Sequence, residues 1–377
     1  MVSAAADTGM ILHIAKMTGV AGTENHLLTL LPALRQAGVD PHLVILVEPD
    51  KPMDAYVEEM TGRGVPTIQR VIQKDVDFPL IRDLTALIRD IQPSAVHTHL
   101  IHADWHGVIA ARRAKVKRIY WSGHNDDPFR RRLAIRLIQA YLWQRVTAGI
   151  AISEAVRQFM VKVEFAPPRK THTIHYGFDP TDESPRIRGI FRRELGIPPE
   201  AFVFGSVCRL IEQKGLDHAV TAFGSLVGEN PLAHYVIIGD GILRDELQTQ
   251  IDTLGLRERV HLAGWRANAA ALMPAFDAFV MPSRWEGFGL VLLEAMAARL
   301  PILASRVSAL PEIVAPGETG YLVPPGDFQV IRTGMLALLR DPEAARLMGE
   351  AGRQRLEAHF SVAEMVEKTL KVYNLAP

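Results

Sequence analysis

The chain holds a single cysteine, Cys208, among 377 residues, so an internal disulfide is excluded and a reducing compartment is the expected setting. Cys208 closes the apolar run that begins at Phe202, a position for a buried structural thiol rather than a nucleophile. No apolar run approaches the ~20 residues of a membrane-crossing helix. The start, Met1-Val2-Ser3-Ala4-Ala5-Ala6-Asp7, has no positive region, and the apolar stretch Met10–Ala15 is too short for a secretion signal. A cytoplasmic location is therefore expected. A charge excess is missing too: Lys+Arg and Asp+Glu both total 42, which gives no electrostatic footprint for nucleic acid, and no such partner is expected. Short-period repeats and low-complexity tracts are absent, so neither a solenoid nor a disordered chain is indicated.

What is present is an ordinary globular composition, 48% apolar and 22% charged. The length exceeds the roughly 250–300 residues at which one core stops growing, so two domains are expected. Short apolar runs alternate with amphipathic stretches throughout, the pattern of parallel sheets covered on both faces. In the first half, strands are predicted at Ile11–Ala15, His42–Val47, Val65–Gln69, Ala95–Thr98, Arg118–Ser122, Gly149–Ser153 and Thr171–Tyr176. In the second they fall at Phe202–Val207, His234–Ile238, Val260–Leu262, Ala278–Pro282, Pro301–Ser305 and Gly320–Val323. A helix over Glu24–Ala37 places Leu27, Leu30, Leu31 and Leu34 on one stripe and stops at Gly38. The stretch Asp179–Pro199, rich in Pro, Arg and acids, is the domain boundary candidate.

Open α/β sheets bind ligands beyond the carboxyl ends of their strands, so the chemistry is sought there. After the strand ending at Pro282 come Glu286, Gly287, Phe288, Gly289 and Leu290, then a helix carrying Glu294. The glycines let a ligand approach the backbone, and amides at a helix start suit anionic or oxygen-rich groups. Glu286 and Glu294 do not share a helix face, so each would meet a different part of one extended ligand. A carboxylate accepts from vicinal hydroxyls, as sugars and riboses offer them. The plainer account, acids favoured by a helix dipole, covers Glu286 but not Glu294, which lies among Leu292, Leu293, Ala295 and Met296. Upstream, Arg209 and Lys214 follow another strand, either as two solvated loop cations or as partners for phosphate oxygens.

The Glu286-x(7)-Glu294 spacing around Gly-Phe-Gly resembles the E-x(7)-E motif of the large retaining glycosyltransferase family four. That resemblance runs through nearly the whole chain. It implies an α/β GT-B fold: two Rossmann-like domains whose parallel sheets face a central cleft. The first would span residues 1–180, with a terminal helix at about 361–377 packing back on it, and the second, holding the donor, 190–358. By resemblance, Glu286 and the backbone of Gly287, Phe288, Gly289 and Leu290 would lie beside the transferred sugar and phosphates. Glu294 would hold the ribose hydroxyls, and Arg209 and Lys214 the diphosphate. Ile238-Gly239-Asp240-Gly241 and Gly264-Trp265-Arg266 are weaker matches, Trp265 reading equally as a surface aromatic. The loop Thr18–Glu24, with Gly22, resembles the family's glycine loop toward the distal phosphate and sugar.

His97, His99, His102, His106 and His124 crowd the first half and invite a zinc reading, but the family carries such histidines without metal, and no metal is expected. Asp75-Val76-Asp77 imitates a D-x-D metal motif in an unsupported loop and is set aside. Family members carry a cleft histidine at the place of His124, so His124 is assigned to sugar positioning, with His99 and Asp126 toward the acceptor. The usual Pro-Asn-Gly reads His175-Tyr176-Gly177 here, which removes the basis for assigning that loop a role.

From Arg112 to Arg145 there are ten Lys or Arg and two acids. The segment from Phe129 to Trp143 reads as a basic amphipathic helix, able to lie on an anionic membrane, or equally as a surface helix with its apolar face in the core. Peripheral contact of residues 129–145 with the inner face of the cytoplasmic membrane would fit a lipid-linked acceptor.

The function implied is a metal-independent retaining hexosyltransferase, with Glu286, Lys214, Arg209 and His124 in the catalytic site. It would use a UDP- or GDP-linked sugar as co-substrate, need no other cofactor, and act on a sugar or lipid-linked acceptor in polysaccharide or glycolipid synthesis. A sugar epimerase or phosphorylase on the same architecture, or a nucleotide-sugar-binding protein without turnover, are the alternatives.

Overall fold

The computed structural model describes residues 9–20, 22–180 and 186–373. The first eight residues, Ala21 of the glycine loop, residues 181–185 of the boundary stretch and residues 374–377 of the predicted terminal helix lie outside them. The described chain forms two compact units, residues 9–177 with 361–373, and residues 178–360.

In the first unit seven strands form one parallel sheet: β1 Met10–Lys16, β2 Asp40–Val47, β3 Thr67–Val71, β4 Ala95–His99, β5 Arg118–Gly123, β6 Ala148–Ala151 and β7 Thr171–Thr173. Their order is β3-β2-β1-β4-β5-β6-β7. The crossovers carry helices α1 Gly22–Gln36, α2 Asp54–Gly62, α3 Phe78–Ile91, α4 Ile101–Arg113, α5 Leu133–Trp143 and α6 Glu154–Val163. Sequence and structure agree on every strand to within two or three residues at each end. A strand buried on both faces reads as a near-continuous apolar run, as Leu43–Val47 of β2 do; β4 is buried at all five positions as well, although it carries His97, Thr98 and His99. Leu27, Leu30, Leu31 and Leu34 of α1 are all buried, and Gly38 follows in the left-handed region at φ +91°.

The C-terminal helix Val362–Tyr373 belongs to this unit, packing Val362, Met365, Val366, Val372 and Tyr373 into the core that holds the α1 leucines. Tyr120 donates to the carbonyl of Tyr373 at 2.8 Å. Gly177 makes that docking possible, because a Cβ there would lie 2.7 Å from Val362 Cα.

In the second unit β8 Phe202–Val207, β9 Ala233–Ile238, β10 Val260–Gly264, β11 Ala278–Met281, β12 Ile302–Ser305 and β13 Gly320–Val323 form a parallel sheet of order β10-β9-β8-β11-β12-β13. Its helices are α7 Arg186–Glu194, α8 Leu216–Leu226, α9 Arg244–Thr253, α10 Leu290–Ala297, α11 Leu310–Ile313, α12 Phe328–Arg340 and α13 Pro342–His359. Within the boundary stretch, α7 is tied to this unit by Arg188 and Arg192, which both reach Asp277 at 2.6 Å. Strand order reverses between β8 and β11, so the loops that follow them are neighbours although about 75 residues apart in sequence. That reversal point is where a doubly wound sheet opens a crevice for ligands.

Candidate functional site

At the reversal point, a one-turn 3-10 segment, Glu212–Lys214, follows β8, and a loop from Pro282 to Gly289 follows β11. They touch because Gly215, at φ +60°, has no side chain: a Cβ there would stand 2.3 Å from the carbonyl oxygen of Pro282. Across the contact, the Lys214 ammonium donates to Glu286 Oε2 at 2.5 Å, with both side chains mostly shielded from water. Arg209 is exposed, and no described carboxylate pairs with it. It stands near enough that its charge, with those of Lys214 and Glu286, acts on the Cys208 thiol. Burial nonetheless pushes that thiol up to about 12, so Cys208 stays protonated and inert, as a structural thiol should.

Gly289 adopts φ +93° at the start of α10, where a Cβ would meet Leu310 Cδ2 at 2.8 Å, and no side chain caps the helix. No side chain therefore competes for its first amides, of which that of Leu292 already donates to Gly289 O at 2.8 Å. Phe288 is buried, its ring edge-on to Phe360, so it offers backbone only. Glu294 lies half-buried one turn into α10, and no described group is hydrogen-bonded to its carboxylate. Burial pushes that carboxyl from the ordinary 4.5 up to about 7. The Gly239 turn is stitched to the Arg209 loop by Leu210 N–H to Asp240 O at 2.9 Å and Cys208 N–H to Ile238 O at 3.0 Å. Trp265 is 72% exposed, which fits the surface-aromatic reading.

The first unit gathers a different set. Gly22 is exposed at the start of α1. His124 is buried, with both ring nitrogens engaged: one with His99 at 3.0 Å, the other with the Tyr176 hydroxyl at 2.6 Å. His99 continues to His13 at 3.0 Å, while His97 binds Tyr373 and Ser122 at 2.7 and 2.8 Å. His26 stacks on Tyr176 with ring centroids 4.0 Å apart. Burial pushes His13 and His124 down to about 3, and His26, His97 and His99 well below the ordinary 6.5, so all five are neutral. His13, His97 and His99 have ring nitrogens within 4.8 Å of one another, but hydrogen bonds already occupy both nitrogens of His97 and His99.

Asp126 lies half-buried in the loop after β5. His102 pairs with Asp75 at 2.9 Å, and Asp77 caps α3 by accepting from Leu80 N–H at 3.0 Å, which accounts for the D-x-D look-alike.

The basic segment departs from the sequence reading. A 3-10 turn covers Pro128–Arg131, the chain is extended at Arg132, and the helix starts only at Leu133. Arg130 turns inward to Glu164 at 2.6 Å in a buried ion pair, so it leaves the basic face. Leu142 and Trp143 fill the core, whereas Leu133, Leu137 and Tyr141 are 65%, 58% and 52% exposed. One apolar face is thus covered and a second is open.

Sequence reasoning missed His13, His26 and Tyr176, and it missed Arg284, which joins the two loops of the second unit. The one available signal was Tyr176 standing in the family's Pro-Asn-Gly position.

Two parallel-sheet Rossmann-like units with ligand loops at their reversal points define the GT-B class of fold. The Anabaena protein HepE, solved with UDP and glucose, superposes with a TM-score of 0.84 at 22% identity, over 96% of this chain and 98% of that one. Residues 188–355 match the family model described as Glycosyl transferases group 1, and residues 20–182 that of Glycosyltransferase Family 4. The chain is 27% identical to the Escherichia coli UDP-Gal:alpha-D-GlcNAc-diphosphoundecaprenol alpha-1,3-galactosyltransferase over 96% of both chains. It is 30% identical to alpha-maltose-1-phosphate synthase of Mycobacterium tuberculosis, over 74% of this chain and 78% of that one. The chain belongs to glycosyltransferase family four, and it is a glycosyltransferase.

Proposed function

We propose that the enzyme transfers a hexose, with retained anomeric configuration, from a UDP- or GDP-linked sugar to an acceptor hydroxyl in polysaccharide or glycolipid synthesis. The observation that carries this is the 2.5 Å contact of Glu286 with Lys214, on the loop that also holds Arg209, with which no described carboxylate pairs. Two cations and a carboxylate on adjoining loops match a sugar diphosphate, whose hydroxyls need an acceptor and whose phosphates need positive charge. As the glycosidic C–O bond breaks, the leaving diphosphate gains negative charge, which Lys214, Arg209 and the amides of Phe288–Leu290 would stabilise. Glu286 would hold the sugar hydroxyls and Glu294 the ribose. That ribose contact would give the half-buried Glu294 carboxylate a partner, where no described group is hydrogen-bonded to it. Gly22 and His124 are assigned to the distal phosphate and sugar, and His99 and Asp126 to the acceptor side. Because both nitrogens of His124 and of His99 are engaged, binding the sugar would require His124 to release His99 or Tyr176, and an acceptor contact would require His99 to release His13 or His124. The chemistry is proposed to need no metal.

No helix among the described residues is long and apolar enough to cross a membrane. Peripheral docking at a cytoplasmic membrane face is proposed through the open Leu133, Leu137 and Tyr141 stripe, flanked by Arg131, Arg132 and Arg136. This would bring a lipid-linked acceptor to the enzyme.

A thermal-shift panel of UDP- and GDP-sugars tests the donor reading, since a tight donor raises the Tm by mass action. Stabilisation by one nucleotide class, lost in Lys214→Ala, is expected. A panel with no stabilising member would overturn the reading.

A further inference from the structure

Lys214 is carried by neither a strand nor a helix. Its 3-10 turn closes on itself through Lys214 N–H to Ile211 O at 3.0 Å and Gly215 N–H to Glu212 O at 3.1 Å. Glu212, Gln213 and Lys214 are not part of the core, so packing alone does not fix where the ammonium points. Loop 282–289 does that work, chiefly through one residue. The Arg284 N–H donates to Gln213 O at 2.8 Å, and Gln213 Nε2 returns a bond to Trp285 O at 3.1 Å. The Arg284 guanidinium then spans the turn, donating to Glu212 Oε1 at 3.1 Å on one side and to Asp217 Oδ2 at 2.7 Å and His218 Nε2 at 3.2 Å on the other. Its partners therefore bracket Lys214 in sequence, two residues before it and three or four after.

We infer that Arg284 is a positioning residue: it clamps the turn that carries Lys214 and thereby sets the cation's place against Glu286 and the donor's diphosphate. It acts through Lys214, and no direct contact with substrate is assigned to it. A planar guanidinium is suited to this because its fork serves acceptors on two sides at fixed angles, which an ammonium cannot reproduce. The inference rests on the reading that Lys214 meets the diphosphate.

The test separates that reading from the clamp by comparing nucleoside diphosphate with monophosphate. UDP and UMP, and GDP and GDP's monophosphate GMP, are titrated calorimetrically into the full chain, the monophosphates lacking the group Lys214 would hold. Lys214→Ala should erase most of the preference for diphosphate. Arg284→Ala should lower that preference at least fivefold with monophosphate affinity kept within twofold, Arg284→Lys should recover only part of it, and Arg284→Ala should add nothing in the Lys214→Ala background. Asp217→Asn, which weakens the clamp from its other side, should reproduce the loss and serves if Arg284→Ala does not fold. An unchanged diphosphate preference in Arg284→Ala or in Asp217→Asn, or an equal loss of monophosphate binding, would overturn the clamp. An unchanged preference in Lys214→Ala would overturn the diphosphate reading and the clamp with it.

Discussion

Replacing Glu294 by Gln isolates the energetic cost of holding an ionised carboxylate ready for a ligand. The side chain lies in α10 among buried Leu292, Leu293, Ala295 and Met296, and burial raises its carboxyl from 4.5 to about 7. An acid whose pKa is raised by folding binds its proton more tightly folded than unfolded. Its contribution is full below about pH 4.5 and is lost as pH rises to about 7. Above that, the wild-type carboxylate costs the difference, which at about 1.4 kcal/mol per pH unit is at most about 3 kcal/mol. Glu294→Gln carries no such cost, so urea unfolding of the two proteins should coincide near pH 4 and diverge by about 2–3 kcal/mol at pH 8, with the variant more stable. Hydrogen exchange on peptides from residues 178–360 assigns the difference to the correct unit. Nucleotide binding runs the other way. Ribose hydroxyls favour the ionised form, so titrating UDP or GDP near pH 6.5 should release up to one proton from the wild type and none from Glu294→Gln. Calorimetry in two buffers of different ionisation enthalpy measures that release, and the variant should bind at least tenfold more weakly. Parallel stability curves from pH 4 to 8, together with equal proton release, would refute the reasoning.

Other expectations follow from the same geometry. Lys214→Ala should lower sugar transfer by two orders of magnitude or more while unfolding stays cooperative; near-normal turnover removes Lys214 from the mechanism. The five buried histidines have pKa values below 6.5, so between that pH and about 3 the unfolded chain binds more protons and stability falls as pH drops. The slope approaches about 7 kcal/mol per pH unit at most, and exchange should show residues 9–177 opening near pH 5 before residues 186–360. Gly177→Val should cost about 3 kcal/mol or more, read by thermal unfolding, because its Cβ would overlap the backbone of Val362 and Ser361. Leu133→Ser with Leu137→Ser should cut co-sedimentation with phosphatidylglycerol vesicles several-fold and leave donor binding unchanged; retention on the vesicles would remove this stripe as the membrane contact.

How much of this was legible in advance follows from the range of the contacts. Strands such as β2 and β11 announce themselves because burial on both faces leaves no polar alternation, and the α1 leucines repeat at the helical period. Glu286 and Glu294 share one short segment, so their spacing is visible. The histidine network is not local: His13 meets His99 across 86 residues and His124 meets Tyr176 across 52. No period or spacing encodes such pairs. Arg284 escapes for the same reason, since Asp217 and His218 lie 67 and 66 positions away. The basic segment misled because amphipathic periodicity persists through a 3-10 turn, and nothing local tells Arg130 to turn toward Glu164.

The return of the last helix to the first unit has a practical outcome. Residues 178–360 form one uninterrupted segment and are a candidate for separate expression, whereas a fragment ending at Gly177 would forfeit the phenol that His97 leans on and lay bare the α1 leucines. A faithful stand-alone version of the first unit needs residues 361–373 grafted back, through a short bridge or by circular permutation.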